Sequence, residues 1–254
     1  MIDTHCHLNL PDAFPNPVDA LDEAAAGGVR ACVIVGIDRT SNERAVQIAE
    51  ADSRAYAVVG WHPNNAASYD PAALRHLEEL LAHPRVLALG EIGLDFHWDF
   101  ATREQQERCL LDQLELAESA GVPVVFHCRK AYPDLLELLE VRAVRCRYDF
   151  HCFSGTADEA RRALDLGGYL GFDGPITYKN ARETRQVLAS MPRDRILIET
   201  DSPYLTPEPL RGKPNKPAYL PLVNAAVAST LGIPADAAAK LTSSNAERFF
   251  GLPQ

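Results

Sequence analysis

Five of the eight histidines in this 254-residue chain, His5, His7, His62, His127 and His151, fall at or just past the C-terminal ends of apolar runs. If such ends make up about a tenth of a chain of alternating strands and helices, random placement would put about one histidine there. His5 and His7 belong to the opening stretch Asp3-Thr4-His5-Cys6-His7. Alternate side chains of a strand share a face, so these two imidazoles point together and could grip one metal ion. Alone, His-x-His reads equally well as a strand with two hydrogen-bonded core histidines.

Two carboxylates occupy matching positions, Glu91 in Gly90-Glu91-Ile92-Gly93-Leu94-Asp95 and Asp201 in Glu199-Thr200-Asp201-Ser202-Pro203. Buried carboxylates are costly unless paired or metal-bound. Together with the imidazoles of His5, His7, His127 and His151 they suit a pair of divalent cations. Oxygen and imidazole ligands accommodate Mg, Mn or Zn, so ligand type by itself does not choose among them; Mg or Mn is the expectation for the protein and Zn the alternative. By alternation Cys6, Cys128 and Cys152 should face outward into the layer between strands and helices, as packing residues. Asp3 and Glu199 share the inward parity of His5 and Asp201; they could orient ligands or simply form buried hydrogen bonds.

The elements that must position these groups follow one another regularly. Strands are expected near 3–7, 31–36, 55–61, 86–91, 122–128, 148–153, 168–172 and 195–200. Helices are expected near 18–27, 39–51, 72–82, 102–120, 132–143, 157–166 and 181–189, with two more at 221–231 and 235–250. Runs such as Ala31-Cys32-Val33-Ile34-Val35 lack alternation, which suits strands buried on both faces of a parallel sheet. The pattern predicts an α/β fold, a TIM-type (β/α)8 barrel of one domain over residues 1–254 with an extra C-terminal helix. An open doubly wound sheet competes, but no Gly-rich dinucleotide fingerprint follows the first strand.

The formal net charge of −10 argues against a protein that coats nucleic acid with a broad basic surface. Any polyanion must be held locally, and Lys130, Lys179, Lys213 and Lys216 all follow strand candidates. There is no apolar run of membrane-spanning length and no secretory pattern at the N-terminus, so a cytoplasmic protein is the expectation. Reduced thiols are expected for the six cysteines, because the chain is neither short nor marked for secretion.

Gly60-Trp61-His62-Pro63, His127-Cys128-Arg129-Lys130-Ala131 and His151-Cys152-Phe153-Ser154-Gly155, together with the stretches around His5, Glu91 and Asp201, resemble the successive signatures of the TatD family. These are metal-dependent deoxyribonucleases of the amidohydrolase superfamily. The resemblance implies one metal held by His5, His7 and Asp201, a second by His127 and His151, and Glu91 bridging them. It also implies 3′–5′ exonuclease action on single-stranded DNA ends and a part in DNA repair or degradation. Glu91 would place the metals, and Asp201 would also act as general base toward the attacking water.

His62 could donate to a phosphate oxygen or protonate the leaving group. Arg129 offers a bidentate fork for phosphate. The loop from Tyr204 to Tyr219, with Arg211, Lys213, Asn215 and Lys216, is expected to line the substrate groove, and Lys179 to stand at the same mouth. Trp98 and Phe100 are expected to pack in the core, though they could offer faces for unpaired bases. The competing functions are an amide or ester hydrolase of the same superfamily, and a metal-bound nucleic-acid-binding scaffold without turnover. A monomer is the default, and no sequence-specific recognition helix is evident.

Overall fold

The computed structural model describes residues 1–252, so the last two residues of the expected 1–254 domain lie outside the described residues. Eight strands alternate with helices: β1 Ile2–Cys6, β2 Ala31–Val35, β3 Ala55–Val59, β4 Val86–Asp95, β5 Val124–Arg129, β6 Tyr148–Phe150, β7 Tyr169–Phe172 and β8 Ile196–Ile198. The helices are α1 Pro17–Ala26, α2 Arg39–Ala51, α3 Pro71–Leu81, α4 Arg103–Ala120, α5 Tyr132–Arg142, α6 Ala157–Asp165, α7 Arg182–Ser190, α8 Leu220–Leu231 and α9 Ala235–Phe250. Each strand pairs in parallel with the next, in chain order, and the sheet curls into a nearly closed TIM-type barrel.

The seam between β8 and β1 is closed by a bridge at its upper end, where the His7 N–H donates to Ser202 O at 2.8 Å and the Asp201 N–H to His5 O at 2.9 Å. Lower down, side chains replace the ladder. The Asp3 carboxylate accepts from the Thr200 N–H and hydroxyl at 2.9 and 2.6 Å, and the Thr4 hydroxyl donates to Ile198 O at 3.0 Å. Every buried backbone group needs a partner, and short strands at the seam leave the side chains to supply it.

Two apolar layers hold the barrel. One lies between strands and helices and contains Cys6, Ile34, Leu89, Phe126 and Phe150 with helix residues such as Leu114 and Leu135. The other gathers Val33, Val58, Ala88, Val125 and Leu197 with Phe249 and Phe250 of α9, so the expected C-terminal helix brings two aromatic rings to this second layer. Among the described residues, no single helix is long and apolar enough to cross a membrane.

Three boundaries differ from expectation, with consequences for the site. β4 runs on to Asp95, because Ile92 to Asp95 pair with Phe126 to Arg129. That close pairing depends on Gly93, at φ +147°, where a Cβ would come within 1.9 Å of His127 O. β6 stops at Phe150 and β8 at Ile198, so His151 and Asp201 sit on the turns beyond their strands. Alternation therefore does not extend to Cys152, which has φ +46° and lines the mouth; Cys6 lies in the strand–helix layer as expected, and Cys128 packs in that layer while also touching the mouth cavity.

Candidate metal centre

His5 on β1, Glu91 on β4 and His127 on β5 reach the barrel mouth from the strands themselves, and His7, His62, His151 and Asp201 reach it from the turns that follow. The Nε2 atoms of His5 and His7 lie 3.3 Å apart. His7 Nδ1 stands 2.9 Å from Val35 O, and a carbonyl can only accept, so Nδ1 carries a proton and Nε2 is the nitrogen turned into the site. Asp201 Oδ1 is 3.3 Å from His7 Nε2 and 3.8 Å from His5 Nε2.

Glu91 stands between two groups of imidazoles. Its Oε1 lies 2.7 Å from His127 Nδ1, 2.8 Å from His151 Nε2 and 3.5 Å from His62 Nε2. Its Oε2 lies 3.5 Å from His5 Nε2 and 4.0 Å from His7 Nε2. Burial alone would raise this carboxyl, but the His151 charge and the hydrogen bonds from His127 and His151 hold it well below the usual range. Burial likewise acts against ionised Asp201, and the hydrogen bond from His7 with the charges of His151 and His7 prevails and lowers it.

Two ionised carboxylates and four imidazoles, those of His5, His7 and His151 buried and that of His127 half-buried, converge their oxygen and ring-nitrogen atoms on one place, a donor set that fits divalent cations. His5, His7 and Asp201 offer ligand atoms all within 4.8 Å of one another, and so do His62, Glu91 and His127. The buried Nδ1 of His5 has no hydrogen-bond partner, so no neighbour competes for the ring's orientation.

Around these groups stand partners that orient them. Asp95 Oδ2 lies 3.0 Å from His127 Nε2, which leaves Nδ1 facing Glu91. Asp95 shares a face of β4 with Glu91 and Gly93; that alternation carries the signal, but the residue went unassigned because strand β4 was expected to end at Glu91. Glu199 Oε1 accepts the Cys152 N–H at 2.6 Å and Oε2 the Thr4 hydroxyl at 3.3 Å, while His151 Nδ1 stands 3.5 Å away without a hydrogen bond. Asp3 is bonded across the seam, with burial pushing its carboxyl up to about 8.

Above the centre opens a cavity of about 710 Å³ lined by His62, Trp98, Arg129 and Tyr204 among others. Its volume suits a small-ligand site. His62 Nδ1 accepts the Asn64 N–H at 3.0 Å, so the neutral ring carries its proton on Nε2. Burial and then the His127 charge lower the His62 imidazole, which favours that neutral form.

Lys179, Arg211 and Lys213 are exposed and stand outside the cavity lining, with the Arg211 guanidinium over the Tyr178 ring. Two expectations are corrected. Asn215 is buried and ties the loop down by donating to Thr200 O and Tyr204 O, and Lys216 pairs with Glu23, so neither lines the groove. Trp98 and Phe100 are 46% and 62% exposed, so they are not core residues; the loop that carries them leaves the barrel beyond Asp95.

A parallel barrel with this donor set at its C-terminal mouth defines a metal-dependent hydrolase of the TIM-barrel type. The chain belongs to the TatD-related DNase family, whose model, described as "TatD related DNase", matches residues 2–251. It is 38% identical over 253 residues, covering 99% of each chain, to an uncharacterized metal-dependent hydrolase, YabD, of Bacillus subtilis. It is 35% identical over 258 residues, again 99% of each, to the 3′-5′ ssDNA/RNA exonuclease TatD of Escherichia fergusonii. The crystal structure of YJJV, a TatD homologue from Escherichia coli, is similar with a TM-score of 0.94 at 32% identity, covering 100% of this chain and 98% of that one.

Proposed function

We propose that this chain removes nucleotides from the 3′ ends of single-stranded DNA by hydrolysis of phosphodiester bonds, using two divalent cations, Mg or Mn. The observation that carries the reading is Glu91, whose two oxygens turn toward two different sets of imidazoles. The relative at 35% identity that is named a 3′-5′ ssDNA/RNA exonuclease supports the substrate class. His5, His7 and Asp201 would hold one cation, His127 and His151 the other, and Glu91 would bridge them. When bound, such a pair activates water and neutralises charge on both the attacking and the leaving oxygen.

The chain's own groups do the rest. Asp201 orients the attacking water and accepts its proton. His62, with its proton on Nε2, donates it to the leaving oxygen. Arg129 and Tyr204 hold and orient the phosphate end, and Lys179, Arg211 and Lys213 guide the chain on the outer rim. The whole of residues 1–254 acts as one catalytic barrel and a monomer, and six free cysteines suit the reducing cytoplasm.

Metal reconstitution on 3′-labelled and 5′-labelled single strands tests the reading. EDTA should abolish nucleotide release, Mg or Mn should restore it, and the 3′ label should leave first. No release from either strand, with turnover of amide or ester substrates instead, would transfer the site to the amidohydrolase alternative. Glu91→Ala and Asp201→Asn should each lose orders of magnitude in turnover while staying folded; an active Asp201→Asn would remove the base role.

A further inference from the structure

Large apolar side chains left in water at the edge of a cavity call for a partner. Among the described residues six are exposed, Val18, Trp98, Phe100, Val141, Tyr204 and Leu205, and three of them, Trp98, Tyr204 and Leu205, line the mouth cavity. Phe100 stacks on Trp98 with ring centres 5.7 Å apart and planes inclined by 25°. The Arg129 guanidinium lies 5.8 Å from the Trp98 ring centre and lines the same cavity.

The loop that carries the two rings is tied to the metal centre. Asp95 Oδ1 accepts the His97 and Trp98 N–H groups at 2.8 and 3.2 Å, while its Oδ2 faces His127. The buried Gln106 amide closes the loop's two ends by donating to Asp95 O at 2.9 Å and Ala101 O at 3.2 Å. Phe96 N–H donates to Arg129 O at 2.9 Å, which holds the loop along β5. The rings are thus held at a set place beside the reacting position.

We propose that Trp98 and Phe100, flanked by Arg129, form a stacking platform for an unpaired nucleobase next to the phosphate held over the metal centre. The proposal rests on the nuclease reading and names how that site grips its substrate. A chain with net charge −10 draws no polyanion through its overall field. A few local cations and an uncharged aromatic face must hold the strand, and stacking accepts any base because every base has a π face. A base inside a duplex has no free face, so the platform selects unpaired ends.

The chain has two tryptophans, Trp61, which is buried with its Nε1–H donating to Asn65 O, and Trp98. Fluorescence therefore reports on the platform without turnover. The probes are a short single-stranded phosphorothioate oligodeoxyadenylate, which resists hydrolysis, and an abasic strand of the same length and charge, each titrated into Mg-loaded protein. The base-bearing strand should quench fluorescence and bind about tenfold more tightly than the abasic one, a ratio within the range of one stacked base. That preference should persist as salt rises, since stacking adds no counterion release.

Trp98→Phe should lose the quench and keep most of the preference, whereas Trp98→Ala combined with Phe100→Ala should lose both, with an unchanged far-ultraviolet circular dichroism spectrum. Equal affinity for the two strands, or a double variant that still prefers bases, overturns the platform while the nuclease reading stands. If neither strand binds and the unaltered protein releases no nucleotides from natural single strands, the nuclease reading fails and the platform falls with it.

Discussion

Asp95 Oδ2 lies 3.0 Å from His127 Nε2, and this contact sets which ring nitrogen of His127 faces Glu91. Carboxylates behind ligand histidines fix ring orientation and raise basicity, and their loss typically costs about 10- to 100-fold in metal affinity or activity. Asp95→Asn should therefore weaken Mn binding by about that factor in calorimetric titration, with little change in secondary structure. Unaltered affinity would show that His127 is held by its other neighbours alone.

His62 has a different task and a different signature. If it protonates the leaving oxygen, His62→Gln should slow oligonucleotide hydrolysis by about 10²- to 10⁴-fold. A diester with a p-nitrophenyl leaving group needs little protonation and should lose much less. Metal content, measured by atomic absorption, should stay the same. An equal loss on both substrates would make His62 a phosphate holder instead.

Gly93 tests how tightly β4 and β5 are joined at the mouth. A Cβ there meets His127 O at 1.9 Å on a backbone with φ +147°. Gly93→Ala should lower stability by about 1–3 kcal/mol and push β4 away from the backbone that carries His127. Urea unfolding checks the first effect and metal titration the second; wild-type values for both would mean that the strands separate there at no cost.

Thiol labelling gives a pH test away from the metal centre. Burial pushes the Cys146 thiol up to about 11 and the Cys109 thiol up to about 12. Labelling follows the thiolate, so both should react slowly at neutral pH, Cys146 gaining rate before Cys109 as pH rises. Folded values above the ordinary thiol value of about 8.5 mean that their contribution to stability is complete below that pH and falls as pH rises toward 11. Rapid labelling of native protein at pH 7 would show that these sites open readily.

Adding Mn to EDTA-treated protein should raise the unfolding midpoint, since binding at about 100 times Kd adds about 2.7 kcal/mol to the folded state. Asp201→Asn should reduce that shift, and no shift in the unaltered chain would mean that the donor set holds no cation.

The alternation of apolar runs with helical segments, and the placing of histidines and carboxylates at the ends of those runs, were legible in the chain because periodicity and strand parity are local properties. His5, His7, His127 and His151 could be assigned to one mouth on that basis, and the family signatures in order along the chain agreed. Parity works only while a strand lasts, however. β6 ends at Phe150, so Cys152 turned to the mouth, and β4 runs on to Asp95, so an orienting carboxylate went unassigned. Strand ends are set by pairing with neighbours distant in sequence, such as Asp95 with Arg129, and local pattern carries no trace of that. The same holds for Trp98 and Phe100: hydrophobicity says that aromatic rings gain by burial, but whether the fold offers them a place inside is decided by the path of the loop in three dimensions. Sequence alone determined the barrel and the ligand types. Tertiary structure decided which oxygen of Glu91 faces which imidazoles, which nitrogen of His62 keeps its proton, and which side chains remain in water at the rim, because each depends on distances between elements rather than on order along the chain.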